Sequence, residues 1–247
     1  MAFTRLPLQP RCLPPSSRSL RCLMVGALLF NLAWLLLGCV PQQTTSETDV
    51  SRPTQTIENK GSDTMVNLAL AWAEAYIELR PEVRISVTGG GSGTGIAAMI
   101  NGTVNIANAS RAMKPEEIAA AEANGITPVE FVVARDAIAV VVNPSNPVDR
   151  LTRQQISDIY TGKITNWSQV GGPNKAIILV SREEGSGTRA AFEELVMGKD
   201  NPIVATAILQ PSNGAVLTTV STTPDSIGYL SFGYLDTSAV SYTHLRA

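Results

Sequence analysis

Residues 177–196 read IILVSREEGSGTRAAFEELV, an extended run of β-branched residues that passes through a glycine-rich turn into a helical pattern. The turn, residues 185–188, has the form GS-x-T. The same form occurs at residues 61–64 (GSDT) and 91–94 (GSGT), each time in front of a helical pattern. Strands that alternate with helices in this way are typical of α/β proteins with largely parallel sheets. The repeated turn therefore predicts an α/β fold.

The rest of the chain after residue 57 supports this prediction. The spacing of apolar residues indicates one buried stripe on the first helix, formed by Val66, Ala69, Leu70, Ala73 and Ile77. Trp167, between two turns, has two interpretations, a core anchor or a platform for a ligand. The predicted strands are 83–88, 129–134, 137–143 and 176–181, and the predicted helices are 65–80, 94–101, 114–124, 152–160 and 187–196.

The first 39 residues differ from the rest and predict a secretory signal. Four arginines precede an apolar run that contains no acidic residue and ends at Leu36-Leu37-Gly38-Cys39. This ending resembles the lipobox of bacterial lipoproteins, so we expect Cys39 to be lipidated and to hold the protein on a membrane. A transmembrane anchor or an ordinary cleaved signal is the alternative, although the run is short for a span.

The charge of the chain limits its partners. Removing residues 1–39 leaves 15 basic against 21 acidic residues, a formal charge of −6, which makes nucleic acid an improbable partner. The other two cysteines, Cys12 and Cys22, belong to the signal, so no disulfide is expected in the mature domain. Residues 40–56 are rich in Ser, Thr, Gln and Pro and predict a flexible linker.

The three turns predict a site for an anion with several oxygens. A helix start leaves backbone N–H groups free, glycine lets the backbone approach a ligand, and Ser and Thr hydroxyls add donors. The alternative is that each turn is an ordinary helix N-cap. Arg182 precedes the third turn and can donate paired hydrogen bonds to two ligand oxygens, with Glu183 or Glu184 holding its guanidinium. Arg111, after Ser110, has two interpretations, a second cation or a surface salt bridge.

Several enzyme classes lack their required residues here. The chain contains no Gly-Lys-Ser or Gly-Lys-Thr of a P-loop, and GGGSGTG does not match a dinucleotide or hydrolase motif. His244 is the only histidine, which excludes a Ser-His-Asp triad and disfavours zinc. We therefore expect no catalysis, no cofactor and no metal.

Longer stretches around these turns resemble one family. They are GSDTMVNLALAWAEAY, GGGSGTGIAAMINGTVNIANASRAMKPEE, VVNPSNPVDRLTRQQISDIYTGKITNWSQVGG and VSREEGSGTRAAFEELV. Together they are similar to the phosphate-binding protein of the bacterial phosphate ABC transporter, the PstS family. The resemblance covers about residues 57–236.

The resemblance implies a two-lobed periplasmic-binding-protein fold of type II, with two crossover strands near 135–142 and 227–232. Lobe 1 would contain residues 57–135 together with 230–247, and lobe 2 residues 136–229. The final stretch, TSAVSYTHLRA, does not match the family's ending, so we expect the C-terminus to be truncated or foreign.

The resemblance also implies a ligand-binding set and a function. The implied residues are Ser62, Thr64, Ser92, Arg182, Ser186, Gly187 and Thr188. Many members carry an aspartate that accepts the phosphate proton where this chain has Ser110 or Arg111. Our hypothesis is that Asp63 takes that role, the alternative being a helix N-cap. The implied protein is an extracytoplasmic, monomeric phosphate receptor for an ABC permease. Receptors for sulfate, molybdate or tungstate, a cleft-serine phosphatase and a surface adhesion or sensory protein are the alternatives.

Overall fold

The computed structural model describes residues 55–198, 201–236, 241–242 and 244–246, the last two stretches as backbone alone. The predicted signal, Cys39 and all but the end of the predicted linker lie outside these residues. Within the described part, no helix combines the length and apolar character needed to cross a bilayer.

The N-terminal region, residues 55–123, is a three-stranded parallel sheet with a helix after each strand. The strands are β1 (Gln55–Gly61), β2 (Val83–Thr88) and β3 (Ile106–Asn108), and the helices are α1 (Asp63–Leu79), α2 (Ser92–Ile100) and α3 (Pro115–Ala123). The strand order is β2-β1-β3. Because the strands are parallel, the loops after their carboxyl ends lie at one edge of the sheet.

The C-terminal region, residues 138–236, is built around a larger mixed sheet. Its strands are β4 (Ile138–Val142), β5 (Arg150–Thr152), β6 (Ile178–Arg182), β7 (Ile208–Gln210) and β8 (Ser226–Ser231), and later residues add β9 (Ser241–Tyr242) and β10 (His244–Arg246). The sheet order is β7-β6-β8-β4-β9, and β5 pairs with β10. Strand β6 runs parallel to β7 and β8, whereas β4 runs antiparallel to β8 and β9.

Three helices cover this sheet, namely α4 (Arg153–Tyr160), α5 (Gly187–Phe192) and α6 (Asn213–Thr222). Helix α5 continues into a π-helical turn, Glu193–Met197, so the predicted helix 187–196 changes its hydrogen-bond pattern halfway. The predicted crossover segments coincide with β4 and β8, which are neighbours in antiparallel register with Ile138 opposite Ser231. Their role as the lobe crossovers, like the lobe boundaries, stays a prediction.

The core of the C-terminal region lies on both faces of its sheet. Successive residues of β4 alternate between two apolar groups, because side chains of a strand point to opposite faces. Val140 and Val142 pack with Tyr160, Trp167 and Phe192. Ala139 and Val141 pack with residues of α6, Val216 and Val220. Burial on both faces is what the α/β prediction requires.

Trp167 is a member of this core. It is fully buried, and its Nε1–H donates a hydrogen bond to the carbonyl of Asp225 at 2.8 Å. The core interpretation of Trp167 is confirmed, and the interpretation as a ligand platform is wrong, because the ring faces only protein atoms.

Two predictions for the N-terminal half are wrong. The segment predicted as a strand at 129–134 lies in a stretch, 126–137, without helix or strand, and Phe131 is 79% exposed. A strand needs a neighbour for its backbone hydrogen bonds, and no described strand pairs with this segment. On α1, only Ala69 and Ala73 of the predicted stripe are buried. A three-stranded sheet is narrow, so it covers only the small side chains along the nearest line of the helix.

Candidate ligand-binding site

The three GS-x-T turns lie in direct contact. We call residues 61–64 the first turn, 91–94 the second turn and 185–188 the third turn. Three hydrogen bonds join them in pairs: Gly91 N to Gly61 O (3.0 Å), Gly93 N to Gly185 O (2.9 Å), and Thr64 Oγ1 with Thr188 Oγ1 (2.8 Å). Hydroxyls and amides from the N-terminal region and from the C-terminal region thus meet at one place.

The strands position these turns. The first turn follows β1, the second follows β2 and the third follows β6, so each lies at the carboxyl end of a strand. The end of β3 joins them, because Ser62 N donates to Asn108 O at 2.8 Å. Four residues of the turns carry hydroxyls and are buried, namely Ser62, Ser92, Ser186 and Thr188.

Helix capping does not account for these hydroxyls as a group. Ser62 is the N-cap of α1 but makes no side-chain capping bond, and the N-cap of α2 is Gly91 rather than Ser92. Only Ser186 caps its helix, accepting from Arg189 N at 3.2 Å. The N-cap interpretation therefore holds for the third turn alone.

Ser92 and Ser110 form a hydroxyl pair against the third turn. Ser110 N donates to Ser92 Oγ at 3.0 Å, and the two Oγ atoms lie 3.2 Å apart. A Cβ added to Gly187 would overlap the Oγ atoms of both serines. Glycine at this position is thus required for the close approach of the third turn to the second.

Arg182 supplies the positive charge of the site from the end of β6. The whole residue is only 1% exposed. Its guanidinium donates from Nε to Gln210 O at 3.3 Å and from Nη2 to Pro211 O at 2.9 Å. Its Nη1 is buried and has no hydrogen-bond partner among the described residues. Of the five N–H donors of this buried cation, these two hydrogen bonds use two, and both donors of Nη1 are left for another acceptor.

Burial lowers the pKa of Arg182, and the nearby Asp63 carboxylate opposes this shift. Asp63 Oδ2 lies 3.6 Å from Arg182 Nη2, close enough for ion pairing but too long for a hydrogen bond. The prediction that Glu183 or Glu184 holds the guanidinium is wrong. Both glutamates are exposed, and the described ion pair of Arg182 is with Asp63 from the first turn.

Asp63 is anchored by Asn213 rather than acting as a helix cap. Its Oδ2 accepts from the backbone N of Asn213 at 2.8 Å and from Asn213 Nδ2 at 3.0 Å. The N-cap of α1 is Ser62, so the interpretation of Asp63 as a cap is wrong. Among the hydrogen bonds of the described residues, none uses Asp63 Oδ1.

Arg111 takes part in a different contact. Its two terminal nitrogens donate to the two oxygens of Glu117 at 2.8 and 2.7 Å, and Nη1 also donates to Ala112 O. These hydrogen bonds raise the pKa of Arg111 and lower the pKa of Glu117. The structure thus shows the salt bridge of the second interpretation.

Sequence reasoning missed three residues that support the site. Asn213 holds Asp63 as described above. Tyr229 accepts a hydrogen bond from Arg182 N at 3.2 Å and shares one with Ser181 Oγ at 2.8 Å. Tyr234 donates to Asp63 O at 3.0 Å. The turn signal Pro211-Ser212-Asn213-Gly214 could have indicated the first of these, but the two tyrosines have no local signal.

No group of His, Cys, Asp and Glu side chains in the described part of the chain is arranged to hold a metal ion. The described donors are instead hydroxyls, backbone amides and one guanidinium, which suits an oxyanion.

Comparison with known proteins agrees with this geometry. The family model for a PBP superfamily domain matches residues 44–246. The phosphate-binding protein PstS of Bacillus subtilis (strain 168) is 37% identical over 184 residues, which are 73% of this chain and 58% of the relative. PstS of Pseudomonas aeruginosa (strain UCBPP-PA14) is 35% identical over 193 residues, 72% of this chain and 59% of the relative. The chain thus spans less than two thirds of the length of these curated relatives.

Two solved structures of phosphate transport proteins are also similar to this chain. A phosphate ABC transporter substrate-binding protein from Clostridium perfringens, with bound phosphate, has a TM-score of 0.70 and 39% identity, over 77% of this chain and 75% of that one. An ABC-type phosphate transport receptor from Vibrio cholerae has a TM-score of 0.61 and 35% identity, over 76% of each chain.

The fold and the converging buried donors define a binding protein of the two-lobed periplasmic type. The sequence similarity then narrows the class. The chain belongs to the PstS family of phosphate-binding proteins within the PBP superfamily.

Proposed function

We propose that the protein is an extracytoplasmic receptor that binds inorganic phosphate between its two lobes and delivers it to an ABC permease. The observation that carries the proposal is the buried Nη1 of Arg182, which has no described hydrogen-bond partner. This arginine lies next to the three hydroxyl-rich turns, which contact one another. A buried charged donor without an acceptor is costly, and a phosphate oxygen would supply the acceptor.

The proposed ligand-binding set combines one cation with neutral donors. Thr64 and Thr188 share a single hydrogen bond, so one of the two hydroxyl protons remains for a ligand. The set is Ser62, Asp63, Thr64, Ser92, Ser110, Arg182, Ser186, Gly187 and Thr188, with Arg111 as an outer cation held by Glu117. Neutral donors around one guanidinium suit an acidic protein, whose overall field repels anions.

We propose that Asp63 accepts the proton of the ligand and so makes the site selective for phosphate over sulfate. Asn213 occupies Oδ2, which leaves Oδ1 for the ligand. Monohydrogen phosphate can donate its proton to a carboxylate, whereas sulfate has no proton and would place two negative groups together in a dry site. We expect Asp63→Asn to let sulfate compete with phosphate.

The remaining parts of the proposal follow from the sequence and the relatives. A signal at residues 1–39 would export the chain, and lipidated Cys39 would hold it on a bacterial membrane through the 40–56 linker. The lobes would be 57–135 with 230–247, and 136–229. The relatives are described as a phosphate-binding protein and a phosphate transport receptor, which supports binding without catalysis. That the protein acts as a monomer is part of the proposal.

Calorimetry with phosphate tests the proposal directly. We expect the purified protein to bind phosphate with a micromolar or lower Kd, and Arg182→Ala to raise the Kd at least tenfold. Arg153→Ala is the matched control, because Arg153 is exposed at the start of α4 and should leave the Kd unchanged. Equal affinity of the wild type and Arg182→Ala would refute the assignment. Displacement of phosphate by equimolar sulfate would refute its selectivity.

A further inference from the structure

Asn213 is a fully buried side chain whose polar atoms bind two separate parts of the molecule. Its Nδ2 donates to Asp63 Oδ2 at 3.0 Å and to Thr64 Oγ1 at 3.1 Å, both in the first turn. Its Oδ1 accepts from Ser231 N at 3.1 Å, at the end of β8. One amide thus connects the first turn of the N-terminal region with the sheet of the C-terminal region.

The residues just before Asn213 hold Arg182. The carbonyls of Gln210 and Pro211 accept from Nε and Nη2 of the guanidinium, at 3.3 and 2.9 Å. Ser212 fixes the segment on α6, since its Oγ accepts from Ala215 N at 3.1 Å. Residues 210–213, which we call the bracket segment, therefore contact both the cation of the site and the first turn.

We propose that Asn213 is a positioning residue for ligand binding, which sets the place of the first turn relative to Arg182 when the lobes are closed. The inference rests on the proposed phosphate site. Asp63 receives two hydrogen bonds from Asn213, whereas its distance to Arg182 Nη2 is 3.6 Å. Without the Nδ2 donor, Asp63 Oδ2 keeps only the hydrogen bond from Asn213 N, and the carboxylate would move toward the guanidinium, which is its nearest opposite charge. That movement would compete with the ligand for Arg182.

Asn213→Asp is the informative variant. It keeps the shape of the side chain and the acceptor for Ser231 N, but it replaces the Nδ2 donor with an oxygen facing Asp63. Two adjacent carboxylates repel each other, so one of them takes up a proton at a higher pH than an isolated carboxylate does. Acidification should therefore restore a donor at position 213. The other titratable groups that face this pair are Arg182 and Tyr234.

The affinity measurement compares each variant with wild type at the same pH, which removes the titration of phosphate itself. We expect the ratio of the Asn213→Asp Kd to the wild-type Kd to be at least ten at pH 8 and to fall at least threefold by pH 5.5. Asn213→Ala should show a raised ratio that does not change with pH. Val220→Ala is the structural control: it removes buried methyl groups near the far end of the same helix, so it should lower the unfolding midpoint but leave the Kd within twofold of wild type.

Amide hydrogen exchange in the phosphate-free protein provides a second measurement. Both Asn213 variants should speed exchange at residues 62–65 at least tenfold, and Val220→Ala should not. If the wild type binds phosphate and Asn213→Asp binds it equally at every pH, the inference is wrong and the proposed function stands. If the wild type does not bind phosphate, the proposed function is wrong. Unchanged exchange at residues 62–65 would overturn the positioning role in either case.

Discussion

The N-terminal and C-terminal regions contribute to one site but are packed very differently. In the C-terminal region both faces of the sheet are covered, and aromatic rings of Tyr160, Phe192 and Tyr229 contact one another in its core. In the N-terminal region α1 buries two alanines, while Trp72 on the same helix is 45% exposed. The two apolar clusters described above contain no residue of the N-terminal region.

The difference matches what each region gives to the site. Arg182, the cation, lies on β6 in the densely packed region, where its direction is fixed by two carbonyls. The lightly packed region supplies hydroxyls of the first two turns, and a hydroxyl can rotate to meet a ligand oxygen. A charged group needs a rigid support because misplacing it costs more than misplacing a neutral donor. The comparison therefore predicts a stable half that carries the cation and a softer half that adapts. The one carboxylate of the softer half, Asp63, is held by Asn213 of the stable half.

The two described tryptophans give the largest expected contrast. Trp167→Ala should lower the free energy of unfolding by about 3–5 kcal/mol, because it leaves a cavity in the core and removes one of the two donors to the carbonyl of Asp225. Trp72→Ala should cost less than about 1 kcal/mol, since much of its ring is already in water. Urea unfolding of both variants measures the difference. Equal costs would mean that the two regions are packed alike.

Tyr229→Phe tests whether the packed region fixes Arg182. The substitution keeps the ring stacked on Phe192 but leaves Arg182 N without its acceptor and removes one of the two hydrogen bonds of Ser181 Oγ. We expect a loss of about 1–3 kcal/mol of unfolding free energy and a several-fold weaker phosphate affinity by calorimetry. Burial raises the pKa of Tyr229, so the phenol is neutral under these conditions.

Tyr234→Phe is the matched control on the partly exposed side of the site. Its hydroxyl donates to Asp63 O and accepts from the exposed Asn67, so water can replace both contacts. We expect it to cost less than half as much stability as Tyr229→Phe. A larger effect at Tyr234 would locate the rigid support in the first turn instead.

The sequence predicted the parts of this molecule that depend on local signals. The helices after β1, β2 and β6 were found within about three residues at their starts, because a glycine-rich turn and a regular apolar spacing mark a helix start. A shared site for the three turns was also expected, and the stated reason holds for the first two turns, which follow neighbouring strands of one parallel sheet. The third turn follows β6, which belongs to the other sheet.

The remaining features depend on tertiary contacts that a local pattern does not contain. The run at 129–134 has strand-like composition, but a strand forms only where a neighbour offers backbone partners. The choice of Asp63 over Glu183 as the partner of Arg182 depends on two residues 119 positions apart in the sequence coming together. The tyrosines and Asn213 likewise act across long sequence separations.

The salt bridge between Arg111 and Glu117 gives the smallest expected effect and tests the soft region. Glu117 Oε2 accepts from Lys114 N at the start of α3, and both carboxylate oxygens accept from Arg111. Glu117→Gln keeps an acceptor for Lys114 N but removes the charge that pairs with Arg111. We expect it to lower the unfolding free energy by about 1 kcal/mol at pH 7, since the pair is partly exposed.

The pH dependence separates this ion pair from a loss of packing. Arg111 lowers the pKa of Glu117 in the folded state, so the pair contributes stability above the ordinary glutamate pKa of about 4.3. That contribution is lost as the pH falls through the lower folded pKa, and the difference between wild type and Glu117→Gln should shrink toward zero in urea unfolding below about pH 4. Glu116→Gln, at the exposed neighbouring position, should change little at either pH. A Glu117→Gln effect of equal size at pH 7 and pH 3.5 would mean that the side chain stabilises α3 by packing rather than by its charge.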